Sequence, residues 1–128
     1  MLNRMYVMMS AARGQSVSID ERNHNNLCRT LSEDLQYEWD EVQGCYKGVE
    51  ERSVCVMVHD FREIGLLIKE AVNYSQESIL IVDSRNKCFL YFPATNEMNY
   101  IGNMFNSKDK PLGVTDYSII NGIYYYVL

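Results

Sequence analysis

Few residues of this chain have the types and spacing that metal binding or nucleophilic catalysis requires. The four cysteines are far apart and form no CxxC pair: Cys28, Cys45, Cys55 and Cys88. Only two histidines, His24 and His59, are available to complete a zinc site, so the sequence predicts neither a metal site nor a redox motif. We interpret the cysteines as small core residues, except Cys45, which lies in a polar stretch between Gly44 and Tyr46.

The histidines and carboxylates allow only weak chemical predictions. Neither His24 nor His59 has a Ser, Cys or carboxylate partner visible in the sequence, and we interpret both as capping or surface residues. Five acidic residues flank the segment 44–46: Glu38, Asp40, Glu41, Glu50 and Glu51. A solvent-exposed acidic edge is the simpler interpretation of these residues. As a group around a hairpin, they can also offer a carboxylate to a cationic ligand.

Tyrosine is abundant, with 10 residues in 128, and three of them stand together at Tyr124–Tyr126. The simplest interpretation of this row is a strand whose rings are alternately buried and exposed. An exposed row would also suit a subunit contact, because tyrosine is enriched at protein interfaces.

Length and composition are those of one globular domain. The 128 residues, 47% hydrophobic and 23% charged, leave room for one core, so we expect a single domain over residues 1–128. The net charge of -5 argues against a protein that binds nucleic acid by neutralising phosphates. No apolar run reaches the length of a membrane span, and Met1–Met9 lacks the features of a signal peptide. We therefore expect a cytoplasmic protein without a membrane partner.

The chain begins with a predicted strand and a predicted helix. Met5–Ser10 is a short apolar run, typical of a strand buried on both faces. Ser18 precedes Glu21 at the spacing of a capping box, and apolar residues follow at helical intervals. The first helix is therefore expected from about Asp20 to about Gln36.

Two strands and a second helix follow. Trp39–Tyr46 is strand-like but charged, which predicts either an edge strand or a half-solvated one. Ser53–Val58 alternates valines with Cys and Met, as in a central strand covered on both faces. Asp60 and Glu63 repeat the capping spacing before a helix that we expect to end near Tyr74.

The last third of the chain is predicted to be mostly β. Ser78–Val82 and Cys88–Phe92 are strands joined by a short polar turn, and Thr95–Pro111 is predicted to be a long loop. Asn121–Gly122 predicts the two-residue type I′ turn of a terminal hairpin. The two strands of that hairpin are Tyr117–Ile120 and Ile123–Val127.

This order of elements predicts an α+β, ferredoxin-like βαββαβ sandwich with one extra strand and a C-terminal hairpin. In that fold an antiparallel sheet carries two helices on one face. A small α/β fold is the alternative, but the short link between the second and third strands favours a hairpin over a crossover. These residues alone predict a small, oligomeric domain whose ligand they do not identify.

Several short motifs, taken in order, resemble a known enzyme family. They are Met8–Arg13 (Met-Met-Ser-Ala-Ala-Arg), His24 followed by Thr30–Leu31, Gly44–Cys45–Tyr46, Ile79–Val82 and Lys110–Gly113. Their shared order and spacing resemble the phage-encoded S-adenosylmethionine (SAM) lyases, long called SAM hydrolases. The similarity extends over nearly the whole chain.

The resemblance implies intramolecular cleavage of SAM to methylthioadenosine and L-homoserine lactone. Loss of this methyl donor would counter the host restriction systems that depend on it. The resemblance also implies a PII-like fold, a homotrimer with active sites between subunits, and no metal or organic cofactor.

The motifs of the resemblance, and the acidic residues nearest to them, supply the candidate site residues. Tyr46, Glu50 and Glu51 are the catalytic candidates, because either glutamate can accept the substrate ammonium and the tyrosine can present its ring or hydroxyl. The candidates for substrate binding lie in the loop after the first strand and beside the tyrosine: Ser10, Ala11, Arg13, Gly44 and Cys45.

The main alternative function is a non-catalytic, PII-like trimeric sensor that binds SAM or an adenine nucleotide. Nothing in the sequence separates binding from cleavage. A DNA-mimicking inhibitor of restriction enzymes would require a far more acidic chain than one with a net charge of -5.

Overall fold

The computed structural model describes residues 4–12, 14 and 16–128. Within these residues, eight strands form one closed antiparallel barrel and two helices lie against it. The strands are β1 Met5–Met9, β2 Glu38–Tyr46, β3 Val49–Val58, β4 Ile79–Val82, β5 Lys87–Phe92, β6 Glu97–Ser107, β7 Tyr117–Ile120 and β8 Ile123–Val127. The helices are α1 Val17–Arg29, which continues as a π-helical turn over Thr30–Asp34, and α2 Phe61–Asn73.

The closed barrel shows that the prediction of an open ferredoxin-like, PII-like sandwich is wrong. The strand order around the barrel is β1-β3-β2-β7-β8-β6-β5-β4, and β4 pairs with β1 to close it. An open sheet would leave β4 and β2 as edges. Here β5 pairs with β4, β7 pairs with β2, and β6 and β8 connect them. Closure satisfies the backbone groups that an open sheet would leave unpaired at its edges.

The prediction of a long loop over Thr95–Pro111 is wrong, because strand β6 lies within it. Its asparagines have low strand propensity, but it pairs with β5 on one side and with β8 on the other. Gly102 allows this arrangement: its φ is +133°, and a Cβ atom there would lie 2.5 Å from the carbonyl oxygen of Leu128. That carbonyl accepts a hydrogen bond from the amide of Asn103 at 2.8 Å.

The first helix begins earlier than predicted. Ser16, rather than Ser18, is the N-cap, and its hydroxyl accepts a hydrogen bond from the amide of Ile19 at 3.2 Å. The capping-box interpretation of Ser18 and Glu21 is therefore wrong, because two serines two positions apart offer equivalent local signals.

Other predicted elements are confirmed. Asp60 caps α2 by accepting a hydrogen bond from the amide of Glu63 at 2.9 Å, and the helix ends at Asn73. Asn121 and Gly122 have φ values of +51° and +79° in the turn of the terminal hairpin, as a type I′ turn requires. Strand β2 is half-solvated rather than an edge, since it pairs with both β3 and β7.

The barrel wall separates two apolar clusters. Alternate residues of β1 and β3, such as Val7 and Val56, pack outward against the helices, where Leu27 and Leu67 are fully buried. The residues between them point inward, and Cys55 joins a smaller cluster inside the barrel. This confirms that β3 is covered on both faces. Neither α1 nor α2 is long and apolar enough to span a membrane.

Candidate functional site

A cavity of about 510 Å³ opens at one end of the barrel, next to the inner cluster. This volume is in the range of small-molecule sites. Its walls come from all eight strands and from the turn before β4. The lining residues are Met8, Met9, Ser10, Tyr46, Glu51, Ser53, Gln76, Glu77, Ser78, Ile79, Leu80, Leu90, Ile101, Met104, Asp116, Tyr117, Ser118, Tyr125, Tyr126 and Val127.

The cavity lining combines carboxylates with aromatic rings. Three acidic residues line it, Glu51, Glu77 and Asp116, together with four tyrosines, of which Tyr46 and Tyr125 lie on the same face of the sheet as Ser118. Among the described residues, no Lys or Arg contributes to the wall. Carboxylates attract a cation, and the faces of tyrosine rings stabilise one that has shed its water. This lining therefore suits an organic ligand that carries positive charge.

Tyr46 lies at the mouth of the cavity, and two neighbours determine where its ring lies. Its hydroxyl is 3.0 Å from the hydroxyl of Ser118, which β7 places opposite Gly44. The ring passes over Gly44, where an added Cβ would lie 2.6 Å from Cε2 of the ring. Burial raises the pKa of Tyr46, so its hydroxyl stays protonated at neutral pH and can donate a hydrogen bond.

The two glutamates that follow the hairpin turn are separated by the alternation of β3. Gly44 pairs with Glu51, and Cys45 pairs with Glu50. Glu51 lines the barrel cavity, and its charge is one of the influences that raise the pKa of Tyr46. Glu50 lines only a second cavity outside the barrel wall, which Glu51 also borders. The structure therefore places Glu51, and not Glu50, with Tyr46.

Some of the predicted binding residues lie at the barrel cavity, and others lie away from it. Ser10 lines the barrel cavity, and Gly44 supports the Tyr46 ring. Ala11 is fully buried in the outer cluster, and Cys45 lies on β2 opposite Tyr117 of β7. Neither of these two lines the barrel cavity. Arg13 lies outside the described residues.

Sequence reasoning missed several cavity residues, including Ser53, Asp116, Ser118 and Tyr125. Strand alternation places Ser118 and Ile120 on one face of β7, but it does not say which face is inside. The missing information was the closure of the barrel, which turns that face inward.

The second cavity, of about 320 Å³, lies between α1 and β3, and an ion-pair network borders it. The Nε2 atom of His24 is 2.8 Å from Oε1 of Glu41, and Arg52 donates to the same oxygen from Nε at 2.9 Å. The Arg52 hydrogen bond, with a smaller contribution from His24, lowers the pKa of Glu41. Because His24 is only 2% exposed, its interpretation as a capping or surface residue is wrong. The network joins α1 to the barrel wall.

The thiols have the properties of core residues rather than of nucleophiles. Cys55 and Cys88 are buried, which confirms their sequence interpretation, and burial raises their pKa values to about 12 and about 11. Burial also raises the pKa of Cys28, whose sulfur is 3.5 Å from Nε2 of His24. The described residues contain no group of three or more His, Cys, Asp or Glu side chains that could hold a metal ion.

Together, the barrel and its cavity define a small helix-flanked β-barrel protein with an acidic, tyrosine-lined cavity whose chemistry suits a cationic organic molecule. Residues 7–128 match the model of the S-Adenosylmethionine lyase family. The chain therefore belongs to that family, and the resemblance carried by its motifs is confirmed. A search of curated proteins finds no match.

Proposed function

We propose that this protein is a SAM lyase that converts SAM to methylthioadenosine and L-homoserine lactone. The observation that carries the proposal is a cavity, in a member of this family, that combines Tyr46 and Glu51 with further carboxylates and tyrosines. SAM bears a sulfonium and an ammonium, the two cations that such a lining favours.

The reaction requires no protein nucleophile. An oxygen of the substrate carboxylate attacks the γ-carbon of the same molecule, and the bond from that carbon to sulfur breaks. The electron pair of the broken bond stays on sulfur, which becomes the neutral thioether of methylthioadenosine. No proton is transferred, and the lactone keeps its ammonium group.

The protein accelerates this step by positioning the substrate and excluding water from it. Holding the carboxylate against the γ-carbon is worth several kcal/mol of barrier. The negative carboxylate and the positive sulfonium of SAM approach and cancel as the lactone closes. An apolar wall, formed by residues such as Leu80 and Met104, therefore favours the transition state over the substrate with its charges separated. Glu51 accepts the ammonium, while Tyr46 offers its ring and a protonated hydroxyl at the same end of the cavity.

The finer parts of the proposal rest on the family resemblance. The protein acts as a homotrimer with sites at subunit interfaces, in the cytoplasm of a phage-infected host, where loss of SAM counters restriction. It uses no metal or organic cofactor.

Incubation of the purified protein with SAM, followed by chromatography, tests the reaction. We expect methylthioadenosine and homoserine lactone in equal amounts, with no oxygen taken from isotopically labelled water into the lactone. SAM that stays intact at high protein concentration would end the lyase proposal. Tight SAM binding without cleavage would instead support the sensor.

Glu51→Gln and Glu50→Gln form a matched pair for the ammonium site. We expect the change at Glu51 to lower turnover at least about tenfold, or about 1.4 kcal/mol of barrier, because it removes a carboxylate that lines the barrel cavity. The same change at Glu50, outside the wall, should leave turnover close to that of the unmodified protein. The reverse result would place the ammonium site outside the barrel.

A further inference from the structure

Ser53 carries a buried hydroxyl that the folded chain leaves without a partner. The residue is 4% exposed, and among the described residues no group hydrogen-bonds to its Oγ atom. A buried polar group without a partner is unfavourable and uncommon in folded proteins. An unpaired hydroxyl beside a cavity is therefore a place where a ligand can supply the missing hydrogen bond.

The position of Ser53 on β3 directs it into the barrel. It lies two residues from Glu51 and two from Cys55, both of which face the interior, and it lines the same cavity as Glu51. It pairs across the sheet with Val42, a member of the inner cluster. The side chain is therefore on the deep side of Glu51, toward the closed interior.

The other two buried serines of the cavity already have partners. The Ser118 hydroxyl is 3.0 Å from that of Tyr46. The Ser10 hydroxyl donates to the carbonyl of Arg52 at 3.3 Å and accepts from the amide of Ala12 at 2.9 Å. Of the three, Ser53 alone has its full hydrogen-bonding capacity free for a ligand.

We propose that the Ser53 hydroxyl hydrogen-bonds to the nucleoside half of the bound substrate and so helps to select an adenosine-containing ligand. This inference rests on the proposed SAM lyase function. If Glu51 holds the ammonium near the mouth, the remainder of the ligand extends inward along β3. The Cα atoms of Glu51 and Ser53 are about 7 Å apart along the strand. This distance is longer than the amino-acid portion of SAM, so Ser53 lies beside the nucleoside half.

The surroundings of Ser53 fit a nucleoside. Met8, Leu80 and Tyr125 line the cavity there and belong to the inner cluster or pack against it, so they offer flat and flexible apolar contacts for a base. A hydroxyl can donate to a ring nitrogen or accept from an amino group of a base. It can also pair with a ribose hydroxyl.

Ser53→Ala tests the inference by comparing ligand affinity, which should fall, with the melting temperature, which should not. Calorimetric titration with methylthioadenosine, which contains the nucleoside but no amino-acid portion, should show about a tenfold weaker Kd. The KM for SAM should rise by a similar factor. The melting temperature of the free protein should stay the same or rise, because the change removes an unsatisfied hydroxyl. Ser84→Ala, in the turn between β4 and β5, is the matched control and should change none of these values.

The other possible outcomes distinguish a failure of the proposed function from a failure of the inference about Ser53. If the unmodified protein neither binds methylthioadenosine nor turns over SAM, the proposed function fails. If it does both, but Ser53→Ala binds methylthioadenosine within twofold of the unmodified protein, the inference about Ser53 is wrong. An increase in the SAM KM alone would place the hydroxyl at the amino-acid end and overturn the nucleoside assignment. A lower melting temperature would show that the hydroxyl has a structural partner, which also overturns it.

Discussion

Gly44→Ala should impair the site by displacing the ring of Tyr46. In the folded chain the ring of Tyr46 covers the position that a Cβ atom on residue 44 would occupy. The new methyl group would lie 2.6 Å from Cε2 of the ring, 3.3 Å from Cζ and 3.2 Å from the carbonyl oxygen of Glu51. Carbon atoms in contact normally lie about 3.5–4.0 Å apart, so the ring must move by about 1 Å.

The ring can make this movement because it lies at the cavity mouth and Tyr46 is 38% exposed. The movement pulls the hydroxyl away from Ser118, its partner at 3.0 Å, and that hydrogen bond contributes about 0.5–1.5 kcal/mol. Overpacking typically destabilises a fold by about 1–3 kcal/mol, and residual crowding against the carbonyl of Glu51 adds part of that cost. We expect a loss of about 1–2 kcal/mol in the free energy of unfolding and at least about a tenfold loss of turnover.

The assay is methylthioadenosine formation, measured beside urea unfolding of the same preparations. Gly65→Ala is the control: residue 65 is an exposed helix position with nothing within 4 Å of the added Cβ. That change should stabilise α2 by up to about 1 kcal/mol and leave turnover unchanged.

A double-mutant cycle tests whether Gly44→Ala lowers turnover by displacing the Tyr46 hydroxyl. If the glycine acts through the tyrosine hydroxyl, the effects of Gly44→Ala and Tyr46→Phe on turnover should be strongly non-additive. Additive effects, or full turnover in Gly44→Ala, would refute the reasoning.

Three further predictions concern the hydroxyl pair, the outer ion pair and the assembly. Ser118→Ala should lower turnover by about three- to tenfold and cost about 0.5–1.5 kcal/mol of stability, since it removes one hydrogen bond to Tyr46; unchanged turnover would mean that Ser118 does not position the ring. Glu41 has a folded-state pKa below its ordinary value of 4.5, so its pairing stabilises the fold above that pH and is lost as the pH falls through the folded-state pKa. Glu41→Gln should therefore cost stability at neutral pH and make the loss of stability below pH 4.5 less steep in urea titrations; equal slopes would contradict this. Light scattering should give three times the mass of one chain, and the mass of a single chain would argue against shared sites.

The predictable parts of the fold are those whose signals are local. The strand Ser53–Val58 and the turn at Asn121–Gly122 were visible because period-two alternation and positive-φ residue types act over a few positions. The helix start at Ser16 and strand β6 were missed for opposite reasons. The helix had two equivalent local caps, whereas β6 had weak local propensity and is stabilised by partners more than ten residues away.

The candidate site likewise combines residues that are close together in the sequence with residues that only the fold brings together. The motif Gly44–Cys45–Tyr46 and the two glutamates after it pointed to the hairpin that borders the barrel cavity, because they lie close together in sequence. Pairing of Gly44 with Glu51 then determined which glutamate faces the cavity. Ser118 comes from a strand more than 70 residues away, so no local pattern connects it with Tyr46.

The sequence by itself determined the family, the acidic and tyrosine-rich character of the chain, and most of its helices and strands, because residue types and short spacings carry that information. Only the tertiary structure decided that the sheet closes into a barrel and which residues face its interior. The physical reason is that a strand presents alternate residues to opposite faces, so its own pattern leaves open which face is covered. Closure through β6 and β8 settles that choice, and it turns Tyr46, Glu51 and Ser53 toward one cavity.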